Sequence, residues 1–179
     1  MRIISYIPIR SGSRGLKDKN ILNVADKPLF AWSIFFAKEL SYLEDIIVSS
    51  DSNKYLELAS KYNINTEKRP IELALDSSTT ESAIVYTIKN LLKENKVTDK
   101  DYFCLLQATS PIRRRSLSNQ LKNLISSNYY DSVISVNKET SFEWMYDSKE
   151  CNTISPKYDL GKRPMRQVIL KNNKERLIE

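Results

Sequence analysis

The stretch Ile3-Ile4-Ser5-Tyr6-Ile7-Pro8-Ile9 runs straight into Arg10-Ser11-Gly12-Ser13-Arg14-Gly15-Leu16-Lys17-Asp18-Lys19-Asn20, and its reading decides the fold. The first half reads as the chain's first strand. The second half is a loop that holds two of the chain's three glycines, Gly12 and Gly15. Glycine at such a place suggests backbone angles or a close approach that side chains would block. Four cations, Arg10, Arg14, Lys17 and Lys19, flank the glycines. Free amide groups and positive charge therefore converge as an anion such as a polyphosphate requires. The order matches neither the Walker A pattern nor the dinucleotide G-x-G-x-x-G. A tight strand-to-helix turn on a basic surface is the plainer alternative.

Strand and helix signals then alternate. Leu29, Trp32, Phe36 and Leu40 recur at helical spacing after Pro28, which suits a first helical position. Ile46-Ile47-Val48 reads as a strand, and Ser50-Asp51-Ser52 can cap a helix that ends near Tyr62-Asn63. Ser78 and Glu81 are spaced as a capping box for a helix carrying Ile84, Ile88, Leu91 and Leu92. Tyr102 to Leu106 is a nearly continuous apolar run of strand length, as expected for a strand covered on both faces. Ser116 or Ser118 caps a helix to about Asn128, and 131–136 gives one more strand. Strands each followed by a helix imply right-handed crossovers and an α/β, Rossmann-like, mainly parallel sheet with helices on both faces. Ligands of such sheets gather beyond the carboxyl ends of the strands, where Gln107-Ala108-Thr109-Ser110-Pro111-Ile112-Arg113 falls.

With 179 residues, one α/β domain is the default. The net charge of +6 favours an anionic partner, and the 28 cations are spread along the chain instead of forming a tail. The chain has no histidine, which excludes Ser/His and Cys/His nucleophile systems and imidazole metal sites. Chemistry here must rest on carboxylates, cations, hydroxyls and a bound metal ion. Cys104 lies in an apolar run and Cys151 in a polar stretch, a pattern of reduced thiols and an intracellular setting. No apolar stretch is long enough for a membrane span and no cleavage-type leader precedes the first strand, so the expected location is cytoplasmic, with no membrane partner.

The run Ile7-Pro8-Ile9-Arg10-Ser11-Gly12-Ser13-Arg14-Gly15, closing with Lys19-Asn20-Ile21, resembles the opening signature of the acylneuraminate cytidylyltransferases, the CMP-sialic acid synthetase family. That signature usually has Lys at the position of Arg14, where a planar fork here replaces a compact ammonium. Two later elements resemble the same family: Arg69-Pro70-Ile71-Glu72-Leu73-Ala74 with Asp76, Thr79 and Thr80 downstream, and Gln107 to Arg113. Gly161 to Gln167 resembles the family's Arg-Gln element, with departures after Gln167.

The resemblance implies a fold of the nucleotide-diphospho-sugar transferase type: a core over 1–136, a dimerisation arm over 137–167 and a return to the core over 168–179. It implies transfer of CMP from CTP to an acidic nonulosonate (N-acetylneuraminate, legionaminate or pseudaminate) with release of pyrophosphate. Arg10 and Lys19 are then catalytic cations that hold the triphosphate with Arg14. Gly12, Ser13, Gly15, Asn20, Arg69 and Thr80 border the nucleotide, and Gln107, Thr109 and Arg166 the sugar. Magnesium is the implied cofactor, with ligands expected beyond Glu179 because the family continues where this chain stops. On that expectation nucleotide binding outlasts catalysis. The related synthetase acting on KDO carries an acidic metal ligand at the strand end where Gln107-Ala108-Thr109 has none. The large side chains Phe142, Trp144, Met145 and Tyr146 in a polar, aperiodic stretch suit either a homodimer hairpin or an ordinary edge strand. The alternative to an enzyme is an inactive nucleotide-binding or partner-binding module. Nucleic acid is not the expected partner, since aromatics do not interleave with cations in a module pattern.

Overall fold

The computed structural model describes residues 2–13, 15–127 and 130–135, together with the strands Trp144–Asp147 and Thr153–Pro156. The chain divides into two compact units, Met1–Tyr130 and Asp131–Glu179. The first is built on four parallel strands, β1 (Ile3–Pro8), β4 (Asp45–Ser50), β5 (Asn65–Lys68) and β6 (Tyr102–Leu105), in the order β5-β4-β1-β6. A short antiparallel ribbon, β2 (Asn23–Val24) with β3 (Lys27–Pro28), interrupts the first crossover. Helices α1 (Leu29–Glu39), α2 (Asn53–Ser60), α3 (Thr80–Lys93) and α4 (Ser116–Ser126) supply the rest.

Alternation along β1 sorts the core into two layers. Ile7 and Ile9 face a cluster with Phe30, Ala31, Ile34 and Ala37 of α1, Val48, and Tyr55 and Ala59 of α2. Ile4 and Tyr6 face the opposite side with Ile47, Val97 and Phe103, where Ile84 and Leu91 of α3 pack. Helices thus cover both faces of the parallel sheet, as the strand-helix alternation requires. In the second unit, β7 (Trp144–Asp147) pairs antiparallel with β8 (Thr153–Pro156), placing Trp144 opposite Pro156.

Several local expectations are corrected. Thr79, not Ser78, caps α3, its hydroxyl oxygen accepting from the Ser82 amide at 3.1 Å. Ser78 instead donates to the Glu72 carbonyl, closing the loop before the helix. Ser52 stands at the cap of α2 without a side-chain cap bond, because Ser50 accepts from the Ser52 amide and Asp51 is drawn to the first loop. Pro28 stands one place before the first turn of α1, and Arg115 occupies the cap before Ser116. No strand forms over 131–135, where Ile134 is exposed and no neighbouring strand pairs with it; Val136 lies outside the described residues. The run at β6 is only half covered, with Leu105 exposed on the outermost strand of the described sheet.

Asp101 fastens β6 to the start of β1. Its carboxylate accepts from the Arg2 amide at 2.7 Å, the Thr98 amide at 2.9 Å and the Arg2 guanidinium at 3.2 Å. Burial would raise its pKa, but these donors together bring it from 3.8 down to about 2. A carboxylate depressed on folding contributes stability that is present above its unfolded pKa and lost as pH falls through the folded one. The melting temperature should therefore drop between about pH 4 and pH 2, and drop less steeply in Asp101→Asn. Parallel curves for the two proteins over that window would refute the assignment.

Candidate functional site

Because the sheet is parallel, the carboxyl ends of β1, β4, β5 and β6 share one edge, and β1 lies between β4 and β6. The glycine loop therefore leaves the sheet flanked by the segments that follow its two neighbours. The Ile9 amide still bonds the Ser49 carbonyl at 2.9 Å, which carries sheet order one residue beyond β1. Ser11 then donates from its amide to Asp51 Oδ1 at 3.0 Å and from its hydroxyl to Oδ2, so the residue after β4 holds the start of the loop.

Arg10 reaches the third wall of the site. It donates to the Leu75 carbonyl at 3.2 Å and pairs with Asp76 at 2.9 Å, in the segment between β5 and α3. The return of the loop is pinned by Asn20, a buried residue whose amide nitrogen donates to the Arg10 carbonyl at 3.0 Å. The Asn20 side chain thus ties the loop to itself through one bond, while Lys19 beside it is partly buried and makes no ion pair among the described residues. Asp18 adopts a left-handed backbone, φ 55°, at the head of the 3-10 turn Lys19–Ile21.

The glycines answer differently from the sequence expectation. Neither has a positive φ, and a Cβ built on Gly12 or Gly15 would meet no atom within 4 Å. Backbone conformation therefore does not require glycine there; the loop simply presents open space. Ser13 continues the loop, its amide bonding the Ser11 carbonyl at 3.0 Å. Arg14 and Arg166 lie outside the described residues.

Beside the loop, a cavity of about 490 Å³ is lined by Asp51, Lys68, Arg69, Pro70, Ile71 and Tyr86. Arg69 is only 4% exposed, and its Nε has no hydrogen-bond partner. Its amide bonds the Ser50 carbonyl at 3.0 Å, which fixes its backbone to the end of β4. A buried guanidinium nitrogen left without an acceptor is costly unless something else supplies one. Thr80, at the first position of α3, is partly buried.

Across β1, the turn after β6 exposes Gln107 and Thr109. Arg113 stiffens it, donating to the Gln107 carbonyl at 2.6 Å and to Ser33 Oγ at 3.1 Å while its guanidinium lies 5.5 Å from the Phe36 ring centre. Burial pushes the Cys104 thiol up, against a smaller opposing pull from Arg113, so it is a poor nucleophile. The structure thus gathers Arg10, Gly12, Ser13, Gly15, Lys19, Asn20 and Arg69 around one edge and sets Gln107 and Thr109 on its other flank. Sequence reading gave Asp51 only a capping role and passed over Asp18 and Tyr55. An acid directly after a strand that ends on the ligand edge is the signal that could have marked Asp51.

Among the described residues no three acidic, cysteine or histidine side chains come together as a metal ion requires, and Asp51 is already engaged by Ser11. The described residues therefore offer magnesium no preformed all-protein cage, and a metal ion there would depend on substrate phosphates and water for most of its ligands. Among them, too, no helix is long and apolar enough to cross a membrane.

A parallel sheet covered on both faces, with a cation-lined loop at its carboxyl edge, defines the Rossmann-like class of α/β domain. The cytidylyltransferase family model matches residues 4–178, and the chain belongs to that family. It is 36% identical over 138 residues to the N-acylneuraminate cytidylyltransferase of Escherichia coli O18:K1:H7, covering 76% of this chain and 32% of that protein. It is 37% identical over 116 residues to the CMP-N,N'-diacetyllegionaminic acid synthase of Legionella pneumophila, covering 64% of this chain and 49% of that one. The fold is similar to that of 4-diphosphocytidyl-2C-methyl-D-erythritol synthase, with a TM-score of 0.63 at 10% identity over 96% of this chain and 84% of the other. The chain spans about a third of the length of the first of these curated relatives and about half of the second.

Proposed function

We propose that this chain carries the nucleotide site of an enzyme that transfers CMP from CTP to an acidic nine-carbon sugar. The observation that carries the reading is the loop Arg10 to Asn20, held at the carboxyl edge by Asp51 and Asp76 beside a cavity with a buried, partner-seeking arginine. A triphosphate would exchange its charge with Arg10, Arg14 and Lys19, and the nucleoside end would meet Arg69 and Thr80. The sugar, with Gln107 and Thr109 on its side and Arg166 toward its carboxylate, would present its anomeric hydroxyl to the α-phosphorus as pyrophosphate leaves. Positioning and neutralisation of charge on the leaving group are the work such residues do, and neither needs a nucleophilic side chain.

The relatives named for N-acylneuraminate and diacetyllegionaminate support the nonulosonate class, and pseudaminate belongs to the same proposal. Magnesium, a cytoplasmic location and a homodimer built through 137–167 complete the reading. Only the strands Trp144–Asp147 and Thr153–Pro156 of that arm fall among the described residues, and their antiparallel pairing is compatible with a hairpin that docks on a second copy.

The test is a thermal titration with CTP, UTP and a short RNA, followed by pyrophosphate release with magnesium and each of the three sugars. CTP should raise the melting temperature by mass action more than UTP does, and RNA should not raise it. Lys19→Ala should reduce the CTP effect by roughly 1–3 kcal/mol, the scale of a charge-assisted bond. Equal responses to CTP and UTP, or a CTP response unchanged in Lys19→Ala, would remove the basis for this site.

A further inference from the structure

We propose that Tyr55 and Asp18 form a positioning pair for Lys19, a role that rests on the reading of the glycine loop as the triphosphate site. Tyr55 is 1% exposed, and its ring belongs to the larger core layer with Phe30, Ile7 and Val48. Its hydroxyl donates to Asp18 Oδ1 at 2.9 Å. A buried phenol requires an acceptor, and the only one this bond supplies is a side chain of the loop. Burial first, and the Asp18 carboxylate second, push the Tyr55 hydroxyl well above its ordinary value, so it is a neutral donor throughout the physiological range.

The strain at Asp18 points the same way. A non-glycine residue in the left-handed region is strained and persists where its surroundings enforce it. Here the enforcing contacts are the Tyr55 hydroxyl, a distant Lys54 ammonium at 3.9 Å, and the bond from the Ile21 amide to the Asp18 carbonyl at 2.9 Å. Lys19 is the next residue and opens the 3-10 turn that Asn20 ties back to Arg10. The rigid core ring therefore sets the backbone from which Lys19 departs, and Lys19, part-buried where Lys17 is exposed, makes no ion pair among the described residues.

The pair acts through Lys19, so its effect should vanish when Lys19 is absent. In the full chain, Tyr55→Phe should weaken CTP binding by roughly three- to tenfold, the range of one net hydrogen bond. In a Lys19→Ala background the same change should alter CTP affinity by less than about twofold, because coupled residues do not add. Asp18→Asn keeps a carbonyl oxygen for Tyr55 and a residue tolerant of the left-handed region, and should restore binding. Asp18→Ala should not. An equal loss from Tyr55→Phe in both backgrounds, or no loss in either, would overturn the proposal. If the unaltered chain binds no CTP, the functional reading fails on its own; the tether is then judged by trypsin cleavage after Lys17 and Lys19. Tyr55→Phe should be cut several times faster at an unchanged melting temperature, and equal rates would overturn it.

Discussion

Replacing Arg69 by Met should abolish most of the thermal stabilisation given by CTP while leaving the free protein as stable as before, or more so. The two halves of that result have one cause. Arg69 is buried against the cavity wall with its Nε unbonded, and no carboxylate pairs with it among the described residues. Hydrogen bonds to charged groups contribute about 1.5–3 kcal/mol, so a nucleotide that offers acceptors there gains on that scale. Without a ligand the guanidinium is a desolvated charge, and exchanging such a charge for a well-packed apolar side chain of similar volume is often neutral or stabilising. Melting curves of both proteins with and without CTP decide it. A Met variant that is destabilised by several degrees when free would mean that Arg69 serves the fold.

Phe30→Ala should cost about 3–5 kcal/mol, the cost of emptying a fully buried aromatic position. Phe30 is completely buried in the layer between α1 and the sheet, and its ring meets Tyr62 edge-on at 5.8 Å between centres. Domains of this size are stable by about 5–15 kcal/mol, so the loss could take a third or more of the total. Urea unfolding followed by circular dichroism measures it; a change under about 1 kcal/mol would show that the layer collapses around the gap.

The strands with apolar sequence were legible, and those without it were not. β1 announces itself because three isoleucines and a tyrosine fill both faces of a central strand. β5 is Asn65-Thr66-Glu67-Lys68, mostly exposed on the sheet's edge, and carries no hydrophobic period at all; only its register against Ile47 to Ser50 defines it. β4 runs on through Ser49 and Ser50, which are fully buried although their hydroxyls give no hydrophobic signal. The site divides in the same way. Arg10, Gly12 and Gln107 could be found by motif, but the reason the loop holds its shape lies in bonds between distant segments. Ser11 meets Asp51 across 40 positions and Asp18 meets Tyr55 across 37, and no local pattern encodes either pairing. The capping residues show the converse: Ser78 and Asp51 have the chemistry of caps, but the loops around the site engage them first.

The position of β1 has a further consequence for how the chain is made. Its register joins Ile3 to Tyr102, with the Arg2 to Asp101 bond beside it spanning 99 positions, so one flank of this strand finds its partner only after the other crossovers are in place. Synthesis proceeds at about 5–20 residues per second, so that interval lasts on the order of 5 to 20 s at the ribosome. For that time the most apolar strand of the domain is half matched, with β4 as its earliest companion. The same central placement that steadies the glycine loop in the finished protein makes its stalk the segment most exposed to misassociation while the chain is being born, and the one whose shielding by a chaperone would matter most.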